Sequence, residues 1–298
     1  MTAKVLCVGI ATQDQIYAVE AMPDRPDKFR ASDLAITGGG TAATAAFAVA
    51  RLGGEAMLAS RLGDDKTGSD ILAELEAERV DCSLLRRYPG HRSPSSAVMV
   101  DPQGERLVVC YADRSLPEEA SHLPERLPSG VGAVLGDVSW IQGAKRLFAA
   151  ARSAGVLRLI DGDRVVEDAD YFDSATHIAY SAATLRRLTG VEDLAAGLAM
   201  LARRAANWLA VTDGPRGTWF TENGAIVREP APAVAAVDTL GAGDVFHGAL
   251  ALALAEGRPE RDGVRFANAA AALKCTRFGG RAGTPSRAEV EAFMRGSG

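Results

Sequence analysis

The stretch Asp238-Thr239-Leu240-Gly241-Ala242-Gly243-Asp244 runs directly into Val245-Phe246-His247-Gly248-Ala249-Leu250-Ala251-Leu252-Ala253-Leu254-Ala255. The second run has almost no polar face, so it predicts a buried helix that begins near Asp244. The first turn of such a helix presents free amides and a positive dipole end to the cleft that it faces. The two glycines remove Cβ atoms, so a phosphoryl group can approach the backbone amides of residues 241–243. This stretch therefore predicts a site that handles phosphate.

Asp244 lies in the first turn of the predicted helix, close to the same amides. Its carboxylate can accept a proton from a substrate hydroxyl, which is the role of the base in phosphoryl transfer. The alternative is that Asp244 only favours a helix N-terminus electrostatically. We predict Asp244 as the catalytic base, and Gly241, Ala242 and Gly243 as the amides that stabilise charge on the transferred group.

Strand-like and helix-like segments alternate along most of the chain. Predicted strands are residues 5–10, 56–60, 131–135, 157–161 and 208–212; predicted helices are 42–52, 67–78, 144–153, 194–205, 244–255 and 263–274, with a hairpin near 218–227. This alternation predicts an α/β fold, a doubly wound and mainly parallel sheet covered by helices on both faces. Asp14 would then lie just past the first strand, where ligands of such sheets gather.

Two segments break the alternation. Residues 15–36 and 93–111 are strand-like and turn-rich, and Asp101-Pro102-Gln103-Gly104 separates two strand-like runs of a predicted hairpin. Together they predict a small sheet outside the main one, within a single domain of residues 1–298. The alternative is an edge hairpin of the main sheet.

Charge and composition exclude several classes of protein. The formal net charge of the 298 residues is −5, without a block of like charges, so we expect no nucleic-acid partner. The four cysteines form no CxxC pair, which argues against a disulfide framework or a zinc site. The sequence contains no signal segment and no run of about 18 uncharged apolar residues. We therefore expect a cytoplasmic protein that has no membrane partner.

Two motifs together resemble the signatures of the ribokinase-like (PfkB) carbohydrate kinases. Residues 238–244 are similar to the C-terminal signature of that family. Gly38-Gly39-Gly40 with its following Ala-rich segment, and Arg61-Leu62-Gly63-Asp64-Asp65-Lys66-Thr67-Gly68, are similar to the N-terminal signature. The likeness spans residues 14–283. It implies a doubly wound α/β domain with a β-sheet lid, ATP and substrate between the two, and homodimerisation through the lid.

The resemblance also implies roles for individual residues. Asp14 and the backbone of Gly39 and Gly40 would hold substrate hydroxyls. ATP would be bound by two further sets: Thr212, Gly214 and Gly217 at its phosphates and ribose, and Asn268, Ala271 and Ala272 along the adenine pocket. Read without the family, the first set is a common Gly-Pro turn, and the second is equally typical of helix packing.

Two departures from the family pattern limit what the resemblance predicts. Ser181-Ala182-Ala183-Thr184 stands where the family has Asn-x-x-Glu, which helps to organise the metal and the phosphates. Mg²⁺ is expected with ATP because a cation offsets charge on the phosphate oxygens, but its protein ligands are not predicted. Ala43 replaces an Asn that binds sugar hydroxyls in many members. We therefore expect the substrate to be bound differently from the sugar of ribokinases.

Within the family, residues 38–52, 237–255 and 270–283 resemble most closely the sulfofructose kinase branch, which phosphorylates a sulfonated ketohexose. A sulfonate needs a basic group near the lid, and Lys28 is the first candidate, before Arg30 and Arg106. The alternative is that these are ordinary solvent-facing residues. The Asn and Arg of that branch's sulfonate site would align with Cys110 and Ser139, and neither replacement carries the missing charge.

The leading hypothesis is an ATP-dependent kinase for a sugar or sugar-like alcohol, ketohexose-like, with sulfofructose as one candidate. Two alternatives stay open: a non-catalytic sugar-binding regulatory protein on the same fold, and a nucleoside kinase. An NAD-linked oxidoreductase is excluded because the first strand is not followed by GxGxxG. His247 shares a helix face with Asp244, and we expect it to be packed and hydrogen-bonded rather than in contact with substrate.

Overall fold

The computed structural model describes residues 2–296 of the chain. Its strands are β1 (Lys4–Val8), β2 (Thr12–Ala18), β3 (Asp33–Gly39), β4 (Glu55–Ala59), β5 (Arg61–Gly63), β6 (Arg86–Tyr88), β7 (Ser95–Val100), β8 (Arg106–Tyr111), β9 (Val131–Gly136), β10 (Leu157–Gly162), β11 (His177–Ser181), β12 (Trp208–Thr212), β13 (Thr218–Glu222) and β14 (Ala225–Glu229). Its helices are α1 (Thr41–Arg51), α2 (Lys66–Ala77), α3 (Ile141–Ser153), α4 (Ala169–Ser174), α5 (Ala182–Thr189), α6 (Leu194–Ala202), α7 (Ala242–Ala255), α8 (Glu260–Cys275) and α9 (Arg287–Gly296). Short 3₁₀ helices cover Gly214–Arg216 and Gly280–Gly283.

The large sheet has eight strands in the order β14-β13-β12-β11-β10-β9-β1-β4. Pairing is parallel from β4 to β12 and antiparallel for β13 and β14. One face is covered by α1, α7 and α8 and the other by α3 and α6, so a separate hydrophobic core lies on each side. The central strand β1 is apolar throughout its buried part because both of its faces are covered. The predicted doubly wound α/β fold is confirmed.

The small sheet has four strands in the order β3-β2-β7-β8. β2 pairs parallel with β7, although about 80 residues separate them in the chain, and two antiparallel pairs flank them. A small apolar cluster of Ile16, Val98 and Val100 lies on its inner face, towards the large sheet. The predicted separate sheet is confirmed, and the alternative of an edge hairpin of the main sheet is wrong. We call this sheet the lid.

Asp14 lies beyond the end of β1, as expected, and is already inside lid strand β2. β1 ends at Val8 because the chain turns at Gly9, where φ is +152° and a Cβ atom would lie 2.1 Å from the Asp137 carboxyl group. The Ile10 amide then donates to Asp137 Oδ2 at 2.8 Å. This turn sends the chain directly from the large sheet into the lid.

Helices α1 and α7 cross at very short range. A Cβ atom on Gly248 of α7 would lie 2.5 Å from the carbonyl oxygen of Ala45 in α1. α7 also packs on β1, β9 and β10, so it is wedged between α1 and the large sheet. This contact determines where the N-terminus of α7 lies.

We predict that Gly248→Ala lowers the free energy of unfolding by about 1–3 kcal/mol, because the added methyl group forces the two helices apart despite its better helix propensity. Urea unfolding followed by circular dichroism measures the change. Gly296→Ala is the matched control, since a Cβ atom there meets open space. Equal stability of Gly248→Ala and the wild type would contradict the close crossing.

Candidate active site

The phosphoryl-transfer loop, residues 238–241, leads into α7 and is held by one buried carboxylate. Asp238 is fully buried; its Oδ1 accepts from the Leu240 amide at 2.8 Å, and its Oδ2 accepts from the amides of Gly279 and Gly280 at 3.1 and 2.8 Å. The buried ammonium group of Lys274 donates to the Asp238 carbonyl oxygen at 2.8 Å. The loop is therefore fastened to the segment that follows α8.

At the start of α7, the Ala242 amide donates to the Thr239 carbonyl oxygen at 3.2 Å, whereas the amides of Gly241 and Gly243 form no hydrogen bond within residues 2–296. Gly241 is the N-cap residue, with φ of +77°, and among the described residues no side chain hydrogen-bonds to this helix start. A positive φ is accessible to glycine at no steric cost, which explains the residue type. Free amides at a helix N-terminus form an anion-binding site. The amides of Gly241 and Gly243 are therefore available to an anion, and the role predicted for residues 241–243 stays a prediction.

Asp244 is half-buried in that first turn and shares the cleft with other carboxylates. Burial, and then the charge of Asp161, hold the pKa of Asp244 well above its usual range, while His247 opposes them. Desolvation and Asp161 likewise raise the pKa of Asp163 to about 6. A carboxylate with raised proton affinity is suited to accept a proton from a hydroxyl near neutral pH.

Asp14, on the lid, is 8% exposed and faces the same cleft. Its Oδ1 accepts hydrogen bonds from Thr12 Oγ1 at 2.9 Å and Ser96 Oγ at 2.6 Å. A Cβ atom on Gly39 would lie 2.0 Å from Asp14 Oδ2, so the carboxylate lies directly against the Gly39 backbone. The charge of Asp14 also acts on Asp244. The structure therefore brings Asp14 and the Gly39 backbone together in the cleft that holds the predicted base.

The glycine turn, residues 38–40, is supported from behind by two residues that the sequence did not single out. Glu74 of α2 accepts from the Gly38 amide at 2.6 Å and from Arg281 Nε at 3.0 Å. Arg281 is 1% exposed, and its guanidinium lies over the ring of Phe47 at 5.2 Å. No local pattern marks a buried arginine between glycines, so only long-range contacts identify this pair.

The buried pair His247–Asp161 lies directly behind Asp244. Nδ1 of His247 lies 2.7 Å from the Gly243 carbonyl oxygen and 3.0 Å from Asp161 Oδ2, and Nε2 lies 3.1 Å from the Ala179 carbonyl oxygen. Because these neighbours can only accept, both ring nitrogens must carry protons. Burial opposes the charged ring, but Asp161 and the hydrogen bonds outweigh it and raise the pKa of His247 to about 9. The expected packed, hydrogen-bonded histidine is found, as an imidazolium.

The predicted nucleotide residues lie at the other end of the sheet. Thr212 ends β12, Gly214 begins the 3₁₀ turn with φ of +53°, and Gly217 follows the turn with φ of +97°. A Cβ atom on Gly217 would lie 2.1 Å from the Glu229 carbonyl oxygen, so glycine is required there. The turn can approach a ligand closely, and its contact with ATP stays a prediction.

The helix predicted to wall the adenine pocket is α8. Its Asn268 accepts from Thr218 Oγ1 at 2.8 Å and donates to the Glu229 carbonyl oxygen at 3.2 Å, so its amide is used within the protein. Ala272 is buried and Ala271 packs against the same core. The contacts of these three residues are those of helix packing, and their role at adenine stays a prediction.

Residues 181–184, which stand where the family has Asn-x-x-Glu, form the N-terminal cap of α5. Ser181 Oγ accepts from the Thr184 amide at 3.1 Å, and Thr184 Oγ1 donates to the Asp163 carbonyl oxygen at 2.6 Å. Within residues 2–296, no group of three or more His, Cys, Asp or Glu side chains is arranged to hold a metal ion. These residues fit a hydrated Mg²⁺ that is carried mainly by nucleotide phosphates.

The lid closes directly onto the phosphoryl-transfer loop. Arg106, at the start of β8, donates from Nη1 to Thr239 Oγ1 at 2.6 Å, so this candidate for anion binding already has a partner. Lys28 is exposed in the segment between β2 and β3, and within the described residues its ammonium group forms no hydrogen bond or ion pair with Asp14. Its contact with substrate stays a prediction. Among the described helices, none is both long and apolar enough to cross a membrane.

Comparison with known proteins shows which family the chain belongs to. Residues 2–287 match the model of the pfkB family carbohydrate kinases. A crystal structure from Agrobacterium tumefaciens, provisionally described as a ribokinase, superimposes with a TM-score of 0.94 at 40% identity over 99% of this chain and 98% of the other. A fructokinase of Klebsiella pneumoniae is 33% identical over 74% of this chain and 78% of its own length. Arabidopsis thaliana ribokinase, solved with ribose and ATP, has a TM-score of 0.81 at 25% identity, covering 99% of each chain.

The chain belongs to the pfkB family of carbohydrate kinases. It is an ATP-dependent sugar kinase of the ribokinase and fructokinase type, a phosphotransferase with an alcohol group as acceptor. The likeness to the ribokinase-like family is thereby confirmed at the level of the family.

The ionised His247 predicts a pH dependence of stability. A group whose pKa is raised on folding stabilises the protein fully below its unfolded pKa, about 6.5, and this contribution is lost as pH rises through the folded pKa, about 9. We expect the free energy of unfolding of the wild type to fall by at most about 3 kcal/mol between pH 6.5 and 9 because of this group. His247→Gln should not show this fall. Urea unfolding at several pH values measures it. Parallel pH curves for variant and wild type would contradict an imidazolium at this position.

Proposed function

We propose that the enzyme transfers the γ-phosphoryl group of ATP to a primary hydroxyl of a ketohexose-like sugar. The observation that carries this proposal is the placement of Asp244 beside the uncapped amides of α7 and opposite Asp14 on the lid. One half of the cleft thus offers an anion site with a base, and the other offers a carboxylate for sugar hydroxyls. Phosphoryl transfer needs this combination of positioning and charge stabilisation.

In the proposed mechanism, the free Oδ2 of Asp14 and the backbone of Gly39 and Gly40 orient the acceptor. Asp244 takes the proton of the attacking hydroxyl as the oxygen–phosphorus bond forms. The amides of residues 241–243 stabilise negative charge on the transferred group. Mg²⁺, bound with ATP, would offset charge on the phosphate oxygens.

The nucleotide would lie at the end of the cleft that is away from Asp14 and the proposed sugar site. Thr212, Gly214 and Gly217 are proposed to contact its phosphates and ribose. The two glycines at this 3₁₀ turn leave room for a ligand to approach the backbone closely. Asn268, Ala271 and Ala272 are proposed to line the adenine pocket. Free amides and a close-approach turn both suit a polyphosphate, which supports ATP as the phosphoryl donor. A cytoplasmic location is also proposed, supported by the four free thiols.

The acceptor is proposed to be a ketohexose or a derivative of one, with a sulfonated ketohexose as a specific candidate. Ala43 is fully buried and offers no side-chain hydrogen bond, which favours a mode of sugar binding that depends on Asp14 and the lid. A nucleoside acceptor is the second candidate within the same chemistry. Parallel assays with ketohexoses, sugar acids and nucleosides separate these acceptors.

We predict that Asp244→Asn lowers kcat by about 10²–10⁴-fold, because the amide cannot accept the proton. ADP release in a coupled assay measures turnover, and calorimetry measures sugar binding, which should persist. Asp170→Asn is the matched control, since that side chain is 92% exposed on α4. Near-normal turnover of Asp244→Asn would refute the base. Sugar binding without turnover by the wild type would instead indicate the regulatory protein.

A homodimer that forms through the lid is proposed as the assembly. The lid's outer face carries large exposed apolar side chains that alternate with the inward-facing ones: Leu34, Ile36, Leu107, Val109 and Tyr111. A contiguous exposed apolar face of this kind is typical of an interface. A second copy of the chain is the expected partner, since a two-fold axis would pair the face with itself.

We predict that the double variant Ile36→Lys/Val109→Lys is monomeric, because four lysines would be buried in each dimer. Light scattering coupled to size-exclusion chromatography measures the mass. Ala149→Lys/Ala196→Lys is the matched control, as both alanines are exposed on helices of the large domain. A monomeric wild type, or a variant that stays dimeric, would contradict the interface.

A further inference from the structure

We propose that His247, paired with Asp161, keeps Asp244 ionised, so that Asp244 is free to take the proton of the attacking hydroxyl. This inference rests on the proposed function, in which Asp244 is the base, and it adds His247 as a positioning residue that acts through Asp244. His247 lies outside the two motifs from which the site was predicted, and it is buried away from solvent.

The His247 ring is held by acceptors on three elements. Nδ1 lies 2.7 Å from the Gly243 carbonyl oxygen, in α7 itself, and 3.0 Å from Asp161 Oδ2 on β10. Nε2 lies 3.1 Å from the carbonyl oxygen of Ala179, which is paired with Asp161 on the neighbouring strand β11. Because all of these atoms accept, both nitrogens carry protons and the ring is a cation. Its charge is therefore fixed where the end of β10 adjoins the first turn of α7.

The ring acts on the turn that carries Asp244. Positions 244 and 247 are three residues apart in α7, so they share a face of the helix, with Cβ atoms about 5–6 Å apart. Gly243, whose carbonyl oxygen lies 2.7 Å from Nδ1, directly precedes Asp244. The ring thus contacts the peptide group that joins these two residues. A change of charge at His247 is therefore felt at Asp244 within one turn of helix.

Carboxylates surround Asp244 on several elements. Burial and then the charge of Asp161 raise the pKa of Asp244; Asp163, just past β10, and Asp14, on the lid, add to the rise, whereas His247 lowers it. Burial likewise raises the pKa of Asp163, and His247 opposes that rise as well. An acid that stays protonated cannot take a proton, so a base in this setting needs a positive charge that offsets its neighbours. The imidazolium supplies that charge.

The pair acts at short range and away from water. The side chains of His247 and Asp161 are each 4% exposed, so salt and solvent screen their charges only weakly. Loss of the imidazolium would leave the Asp161 carboxylate buried without its counter-charge, beside the first turn of α7. A neighbouring charge of this kind typically shifts a carboxyl pKa by about 1–3 units.

The first test is the pH profile of kcat, measured by ADP release with ATP and the fastest acceptor among D-fructose, D-tagatose and D-sorbose. We expect His247→Gln, which keeps a donor but loses the charge, to move the acidic limb of the profile to higher pH by about 1–3 units. Above that limb kcat should recover, which a packing defect would not produce.

A double variant separates charge from packing. Adding Asp161→Asn to His247→Gln removes the carboxylate that the imidazolium compensates, so the acidic limb should move back towards that of the wild type. Two independent packing defects would add instead. His177→Gln is the matched control and should keep the wild-type profile. His177 begins β11, at the amino end of the parallel strands, and burial lowers its pKa to about 4, so this substitution removes no charge at neutral pH.

The second test needs no variant of His247. Coupling between two sites is reciprocal, so the charge of Asp244 must stabilise the imidazolium as much as the imidazolium stabilises that charge. In an NMR titration of protein labelled with ¹³C-histidine, the ring that has a pKa of about 9 in the wild type should titrate about one unit lower, or more, in Asp244→Asn.

Each of three results would overturn the proposal: an acidic limb of His247→Gln that coincides with that of the wild type, a double variant displaced further than His247→Gln, or the same pKa of His247 in the wild type and in Asp244→Asn. Failure of the proposed function would look different. Asp244→Asn would then turn over as the wild type does, or the wild type would phosphorylate no acceptor, while the NMR titration would still report whether His247 and Asp244 interact.

Discussion

The buried Asp238 carboxylate is the constraint on which the rest of the site depends. A charge without water is costly unless hydrogen bonds and an opposite charge compensate it, and Asp238 has three amide donors and Lys274. These contacts fix the loop before α7 against the segment after α8. The first turn of α7, with Asp244 in it, is thereby held at one place in the cleft.

The same anchor connects the two halves of the site. Asp238 binds the amides of Gly279 and Gly280; the next residue, Arg281, pairs with Glu74, and Glu74 holds the Gly38 amide of the glycine turn. A continuous network, buried except at Glu74, therefore extends from the phosphoryl-transfer loop to the backbone proposed to hold the sugar. Such a network would hold the sugar hydroxyl and the phosphoryl group in a fixed orientation to each other. Orientation of this kind is a large part of catalysis.

Much of the fold could be predicted because its signals are local. The apolar run after Asp244 and the alternating strands and helices depend on neighbouring residues, and the structure agrees with them. Neither β11 nor α4 was predicted, and the six residues of α4 are too few for a clear periodic signal. The lid was predicted to start at about residue 15, but β2 starts at Thr12, because the turn at Gly9 depends on Asp137, more than 120 residues further along the chain.

The sequence by itself determined the chemistry of transfer: glycines that free the amides of a helix start, and an acid in its first turn, are properties of one short segment. Only the tertiary structure decided which residues lie around the phosphoryl-transfer loop and Asp244. Arg281 meets Glu74 and His247 meets Asp161 because strand order and helix packing bring distant segments together. Contacts between residues far apart in the chain depend on the whole fold, and no local pattern contains them.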